Sequence, residues 1–331
     1  MTTTFTRADT VGIVGAGTFG SALGAVLARA GRRVIVWSRD AAVVEAITTG
    51  RASPRMPAAE LGPSLTATTD ARELAAGARF LVLAVGSGTA RDRARELGDV
   101  LDGSHIVVHA IGGLASPTNE RVSEVMLQGL PTQKVGVLAG PALPADLANG
   151  EFSSMVVASA FDEVIAEARR LLNLPPALRV YGSKDLVGVE LASALAGAYT
   201  VALGICDGLG MGPGPRAVLV TRAVAEASRL GVAAGAQERT FAGLAGLGNL
   251  LVRSTGDRSA DYLLGKRLAE GTSLADHPTT EGARAAQAGV ELAASLRVRM
   301  PVLQGVAAVL AGTTSARSVG RIVADDVAAL E

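Results

Sequence analysis

The run Gly15-Ala16-Gly17-Thr18-Phe19-Gly20 restricts what this 331-residue chain can fold into more than any other feature. It is a G-x-G-x-x-G that follows an apolar, strand-like run (Val11-Gly12-Ile13-Val14) and opens a helical pattern from Ser21 to Gly31. In such a unit the first glycine permits a tight turn and the second lets the backbone approach a pyrophosphate. The third lets helix pack on strand, and the helix N-terminus faces the anion. A second strand-like run, Arg33-Val34-Ile35-Val36-Trp37, arrives directly after Gly31, which is the context the motif requires. At the end of that run stand Ser38, Arg39 and Asp40. A hydroxyl followed by a guanidinium suits the 2′-phosphate of NADP(H), and an acidic residue suits the ribose of NAD, so Ser38 and Arg39 predict NADP while Asp40 keeps NAD open.

From Val11 to about Val180, apolar runs of strand length alternate with helical patterns: VGIVGAG, RVIVWSR, ARFLVLAVG, HIVVHAIGG, KVGVLAGP and SSMVVAS. The alternation predicts βα units feeding a mostly parallel, doubly wound sheet, buried on both faces. Around Tyr181–Asp185 the texture changes to long Ala/Leu/Gly segments with helical spacing. The expected organisation is α/β: a Rossmann dinucleotide-binding domain over residues 1–183 and an all-helical substrate domain over 184–331.

Composition narrows the partners. With 31 basic against 31 acidic residues and no block of like charge, neither a nucleic-acid footprint nor an acidic tail is present, and small molecules are the expected partners. Cys206 is the single cysteine, so no internal disulfide forms, and His105, His109 and Cys206 lack metal-ligand spacing. The N-terminal MTTTFTRADT lacks a basic-then-apolar signature, and no apolar run is read as approaching the ~20 residues of a membrane span, so no membrane partner and a cytoplasmic location are expected. The only lysines are Lys134, Lys184 and Lys266.

Three further segments, GVELASALAGAYTVALGICDGLGMG, TRAVAEASRLGVAAGAQERTFAGLAGLGNLL and EGARAAQAGVELAASLRVRMPVLQGV, follow GAGTFG and the Gly140–Gly150 run GPALPADLANG in order. In that order and spacing the chain resembles the NAD(P)-dependent sn-glycerol-3-phosphate dehydrogenase family over essentially its whole length. The resemblance implies a Rossmann domain followed by a helical domain of the 6-phosphogluconate-dehydrogenase-like kind, substrate in the cleft between them, and a homodimer. It places Phe19 near the nicotinamide, matches Val85-Gly86-Ser87 to the turn after the third strand, matches Gly140-Pro141 to a loop beside the cofactor, and matches Glu281-Gly282 to a Glu-Gly pair near the dinucleotide.

The chemical half departs from the family. Its lysine-asparagine pair falls on Ala196-Gly197, its second lysine on Gly112, its Gly-Leu-Gly-Asp aspartate on Asn249, and its phosphate-holding Arg-Asn on Ala260-Asp261. Reducing a ketone needs a proton or cation for the developing alkoxide, and alanine supplies neither. Tyr199, one helical turn beyond Ala196, His109 at a strand end, and the acidic Glu190 and Asp261 are the candidate replacements, with Asn249 beside them. Each also has an ordinary structural reading: core tyrosine, structural histidine, or ion pair. The loss of positive charge predicts an NADP(H)-dependent oxidoreductase for a neutral or cationic carbonyl, imine or secondary alcohol. A true glycerol-3-phosphate dehydrogenase and a non-catalytic dinucleotide-binding relative are the alternatives.

Overall fold

The computed structural model describes residues 6–50, 52–57, 59–272 and 279–319. The first five residues of the N-terminal run read above lie outside them. Eight strands form one sheet: β1 (Thr10–Val14), β2 (Arg33–Trp37), β3 (Leu65–Thr68), β4 (Phe80–Leu83), β5 (Ile106–His109), β6 (Val135–Ala139), β7 (Ser153–Ala158) and β8 (Leu178–Ser183). Between them run α1 (Thr18–Arg29), α2 (Ala41–Thr48), α3 (Ala71–Gly77), α4 (Ala90–Gly98), α5 (Val122–Gly129), α6 (Pro144–Asn149) and α7 (Asp162–Leu172). The strand order is β3-β2-β1-β4-β5-β6-β7-β8, and every neighbouring pair is parallel except β6 with β7.

The first six strands follow the 3-2-1-4-5-6 order of dinucleotide-binding folds, so the topological switch point lies between β1 and β4. That is where the glycine loop sits. The strands β1, β4, β5 and β6 are buried along their whole length, the outcome expected of continuous apolar runs covered by helices on both faces. Two strands, β3 and β8, escape sequence reading because each lies at a sheet edge and is only partly buried, so neither forms a continuous apolar run.

The rest of the chain is helical: α8 (Leu186–Gly208), α9 (Pro213–Ala233), α10 (Asn249–Arg253), α11 (Ala260–Ala269), α12 (Glu281–Ser295) and α13 (Pro301–Leu310). The described residues fall into two compact units. One holds the sheet, with the chain through Ile111 and Val122–Leu186; the other holds the helices from Val187 onward together with Gly112–Arg121. The excursion of Gly112–Arg121 into the helical unit is not visible in the sequence.

The helix α8 corrects the expectation about apolar runs. It is 23 residues long with a mean hydropathy of 1.6 over its most apolar window, long and apolar enough to cross a membrane, yet 89% of that window is buried within the protein. Glycines let its neighbours approach: a Cβ on Gly204 would stand 2.2 Å from the Tyr262 carbonyl, one on Gly265 2.2 Å from that of Val201, and one on Gly282 2.4 Å from that of Gly197. Backbone contact of this kind, rather than ordinary side-chain packing, sets α11 and α12 against α8.

Candidate active site

In the sheet unit the three glycines of the loop differ in what surrounds them. Gly15 has φ +111°, and a Cβ there would lie 2.6 Å from the carbonyl of Ala84 and 2.9 Å from the Val85 side chain, just after β4. Gly20 would place a Cβ 2.1 Å from the Gly15 carbonyl, so only glycine lets α1 close onto the turn. Gly17 is exposed, with nothing within 4 Å of its Cβ position, and no side chain caps the helix that follows. Open space before an uncapped helix N-terminus is what a pyrophosphate needs. Ala16 is buried in the turn, and Thr18 and Phe19 open the helix beside that space. The residues present therefore fit a dinucleotide.

At the end of β2, the Asp40 carboxylate caps α2, accepting from the backbone N–H of Ala42 at 3.0 Å and of Val43 at 3.4 Å, while its own N–H donates to Ser38 Oγ at 3.2 Å. Arg39 is exposed beside it. Its charge is felt by Arg93, whose guanidinium carbon lies 5.7 Å from the centroid of the Trp37 ring; burial, then the nearby Arg39 charge, hold the Arg93 guanidinium below its usual range. Ser87 is fully buried at the start of the short turn after β4. Gly140, with φ +148°, approaches the Ser154 carbonyl to 2.7 Å at its Cβ position and turns the chain into Pro141.

His109 ends β5, fully buried, and its Nδ1 accepts from the Ile111 N–H at 3.4 Å.

In the helical unit, α8 presents two different faces. Ala192, Ala196 and Tyr199 line a small apolar space with Ala223, Phe241 and Leu250. The Tyr199 hydroxyl is buried there and donates to Glu226 Oε2 at 3.0 Å, and Glu226 also accepts the N–H groups of Val302 at 2.8 Å and Leu303 at 3.2 Å. Burial, then the Glu226 carboxylate, push the Tyr199 phenol well above its ordinary range. This placement is that of a core tyrosine and does not favour Tyr199 as a proton donor: its one-turn spacing from Ala196 does put both on one face, but that face looks inward.

Ser193 and Gly197, four residues apart, share the other face. Against it stands α10, which follows directly on a π-helical turn, Leu244–Gly248. Asn249 and Arg253, again four apart, point the same way. Asn249 Nδ2 donates to Ser193 Oγ at 3.4 Å, and Arg253 Nη2 donates to Asp261 Oδ2 at 2.5 Å. Asp261 is 3% exposed and is held from a second side by the Gly282 N–H at 2.9 Å. A Cβ on Gly197 would lie 3.4 Å from Asp261 Oδ2 and 3.5 Å from Arg253 Nη2, and one on Gly112 would lie 3.4 Å from Arg253 Nη1. The structure thus gathers Asn249 and Asp261 in one cluster with Arg253, Ser193 and Gly112. The expected loss of positive charge is offset in part, because Arg253 reaches both glycine-bearing positions. Its spacing of eight residues from Asp261, across a loop, is no helical signal.

Glu190 lies apart from this cluster, 2% exposed, with Arg121 Nη1 3.3 Å from its Oε2. Glu281 opens α12 and pairs with Arg284 at 2.7 Å, one residue before Gly282. Among the described residues no group of acidic, histidine or cysteine side chains is arranged to hold a metal.

Comparison with known proteins accounts for both units. The sequence model of the NAD-dependent glycerol-3-phosphate dehydrogenase N-terminus matches residues 10–165, and that of the C-terminus matches residues 185–321. A glycerol-3-phosphate dehydrogenase [NAD(P)+] of Geobacter sulfurreducens is 37% identical over 311 residues, covering 91% of this chain and 92% of that protein. One from Halorhodospira halophila is 38% identical over 314 residues, covering 93% and 94%. The crystal structure of glycerol-3-phosphate dehydrogenase from Coxiella burnetii superposes with a TM-score of 0.89 at 27% identity, covering 96% of this chain and 99% of that one. Both matches run in order over nearly the whole chain, and this chain therefore belongs to the NAD-dependent glycerol-3-phosphate dehydrogenase family, whose members are NAD(P)-dependent dehydrogenases.

Proposed function

We propose that the chain interconverts a secondary alcohol and its ketone, with sn-glycerol 3-phosphate and dihydroxyacetone phosphate as the first pair and NADP(H) as the preferred cofactor. When bound, the nicotinamide supplies or takes up the hydride. The loop from Gly15 to Gly20 holds the pyrophosphate at the start of α1. Arg39 receives the 2′-phosphate, since Asp40 is engaged as a helix cap and a second guanidinium, Arg93, lies close enough to raise the local potential. Val85, Ser87, Pro141 and Glu281 are assigned to the cofactor on the family pattern. A homodimer working in the cytoplasm belongs to the same proposal.

The sequence alone puts a neutral or cationic substrate first; the activity for which relatives matching more than nine-tenths of the chain are named moves the phosphate pair ahead of it. The observation in this chain that supports the move is Arg253, a cation kept among small residues in the helical unit. The second reading, reduction of an uncharged carbonyl or imine, is favoured by Asp261, whose carboxylate balances that cation. The test is NADPH and NADH oxidation with dihydroxyacetone phosphate beside a panel of uncharged ketones and imines. The proposal expects dihydroxyacetone phosphate to be turned over with the higher kcat/KM. Faster turnover of an uncharged compound selects the second reading, and cofactor binding without turnover of any compound selects a non-catalytic role.

A further inference from the structure

We infer that Arg253 Nη1 and the Ser193 hydroxyl form an oxyanion-binding pair for the reacting oxygen of the substrate, an assignment that rests on the dehydrogenase reading above. Among the described residues Arg253 makes one side-chain hydrogen bond, through Nη2 to Asp261, which leaves its Nη1 edge available. Ser193 is 5% exposed, and its oxygen accepts from Asn249, while its own proton is donated to no acceptor among the described residues. Both donors lie beside Gly112: a Cβ there would lie 3.4 Å from Arg253 Nη1 and 3.7 Å from Ser193 Oγ. Gly112 is partly exposed and carries no side chain, so both donors stay uncovered.

The supports around the pair are rigid. Asp261 is fixed by the Gly282 N–H as well as by Arg253, and Asn249 sits on the same short helix as Arg253. Fixed donors in a largely buried setting stabilise charge that develops during reaction, because they need no reorganisation when it appears. The partner carboxylate decides which charge is meant. With Asp261 balancing Arg253, the ion pair carries no net charge, which suits an oxygen that gains partial charge during reduction. Reduction adds hydride to the carbonyl carbon and leaves the broken π-bond pair on oxygen. That oxygen is held by the two donors and takes one proton from water, while NAD(P)H becomes NAD(P)+. An arginine does not deprotonate near neutrality, so Arg253 stabilises and does not supply that proton.

The probe is isotope-labelled formate, an oxygen monoanion that needs no turnover to be observed, titrated against the full chain and followed by its resonance broadening. Arg253→Met alone strands a buried carboxylate, so the decisive variant is Arg253→Met/Asp261→Asn, with folding checked by thermal melting. This variant is expected to weaken formate at least tenfold, Gly112→Val to do the same with Arg253 intact by covering both donors, and Ser193→Ala to weaken it about threefold. With whichever carbonyl the wild type reduces, turnover should slow by about 10²-fold or more in the double variant while cofactor affinity stays within about twofold. Formate binding unaltered in the double variant, absent from the wild type, or unaltered in Gly112→Val overturns the pair; so does an unaltered turnover rate. If the wild type reduces no carbonyl, the dehydrogenase reading fails, and the formate titration still decides whether the donor pair exists.

Discussion

The sheet unit and the helical unit build their sites in different ways. The loop from Gly15 to Gly20 is a single short segment between the end of β1 and the start of α1, with Ala84 and Val85 after β4 as its distant neighbours. The cluster in the helical unit takes Gly112, Ser193 with Gly197, Asn249 with Arg253, Asp261 and Gly282 from five separate stretches. A local site depends on backbone shape and tolerates divergence around it. A site assembled from distant stretches depends on how closely helices approach, and here glycine-to-backbone contacts at Gly204, Gly265 and Gly282 set that distance.

The largest effect expected of a test of this contrast is at Gly17. Gly17→Asp fits sterically, since nothing lies within 4 Å of the Cβ position, and its carboxylate would cap α1. It would also stand where the pyrophosphate belongs, and two unit charges 4 Å apart repel by about 4 kcal/mol near a protein surface. Cofactor affinity, measured by fluorescence titration, should fall roughly 10²- to 10³-fold with the melting temperature unchanged or raised. A melting temperature that falls along with the affinity would mean that the loop is a structural turn and its openness incidental.

Next in size is Arg39→Ala. Loss of a charged hydrogen bond worth about 1.5–3 kcal/mol should weaken NADPH roughly 10- to 150-fold while NADH changes little. Equal weakening of both cofactors would move the 2′-position to another residue, Arg93 being the first to try.

The same contrast explains which parts of the molecule are legible in the sequence. The glycine loop, the parallel sheet and the change to helices near residue 183 follow from local patterns: motif, apolar run, period. Asp40 is ambiguous in the sequence because a ribose ligand and a helix cap share its chemistry, and only the start of α2 at Ala41 separates them. Helical spacing puts Tyr199 on the correct side of Ala196, yet a single helix pattern cannot say which side meets water when α8 is buried nearly all round. Glu226, the partner that fixes Tyr199, lies 27 residues further along. The pairing of Arg253 with Asp261 is hidden for the same reason. It needs the π-helical turn before α10, the loop after it and the approach of α12, and none of these has a period to read.

The smallest effect expected is at Tyr199, and it sharpens the division of α8 into two faces. If the inward face is structural, Tyr199→Phe removes one hydrogen bond of about 1 kcal/mol and leaves the turnover rate within about twofold. A rate that drops by about 10²-fold would instead return the phenol to the chemistry. Glu226 gives the same face a pH signature. Burial raises its pKa above the ordinary 4.5, against the opposing pull of the Val302 and Leu303 N–H groups and the Tyr199 hydroxyl. A carboxyl raised on folding is protonated more readily in the folded chain. Its contribution to stability is therefore most favourable below the ordinary value, and it declines as pH rises from 4.5 through the raised folded value. Urea unfolding across that range should show the decline in the wild type and its absence in Glu226→Gln. In Tyr199→Phe the carboxylate loses a donor that stabilises its charged form, so the decline should extend to higher pH, and an unshifted profile would mean that the Tyr199 hydroxyl does not reach Glu226 in solution.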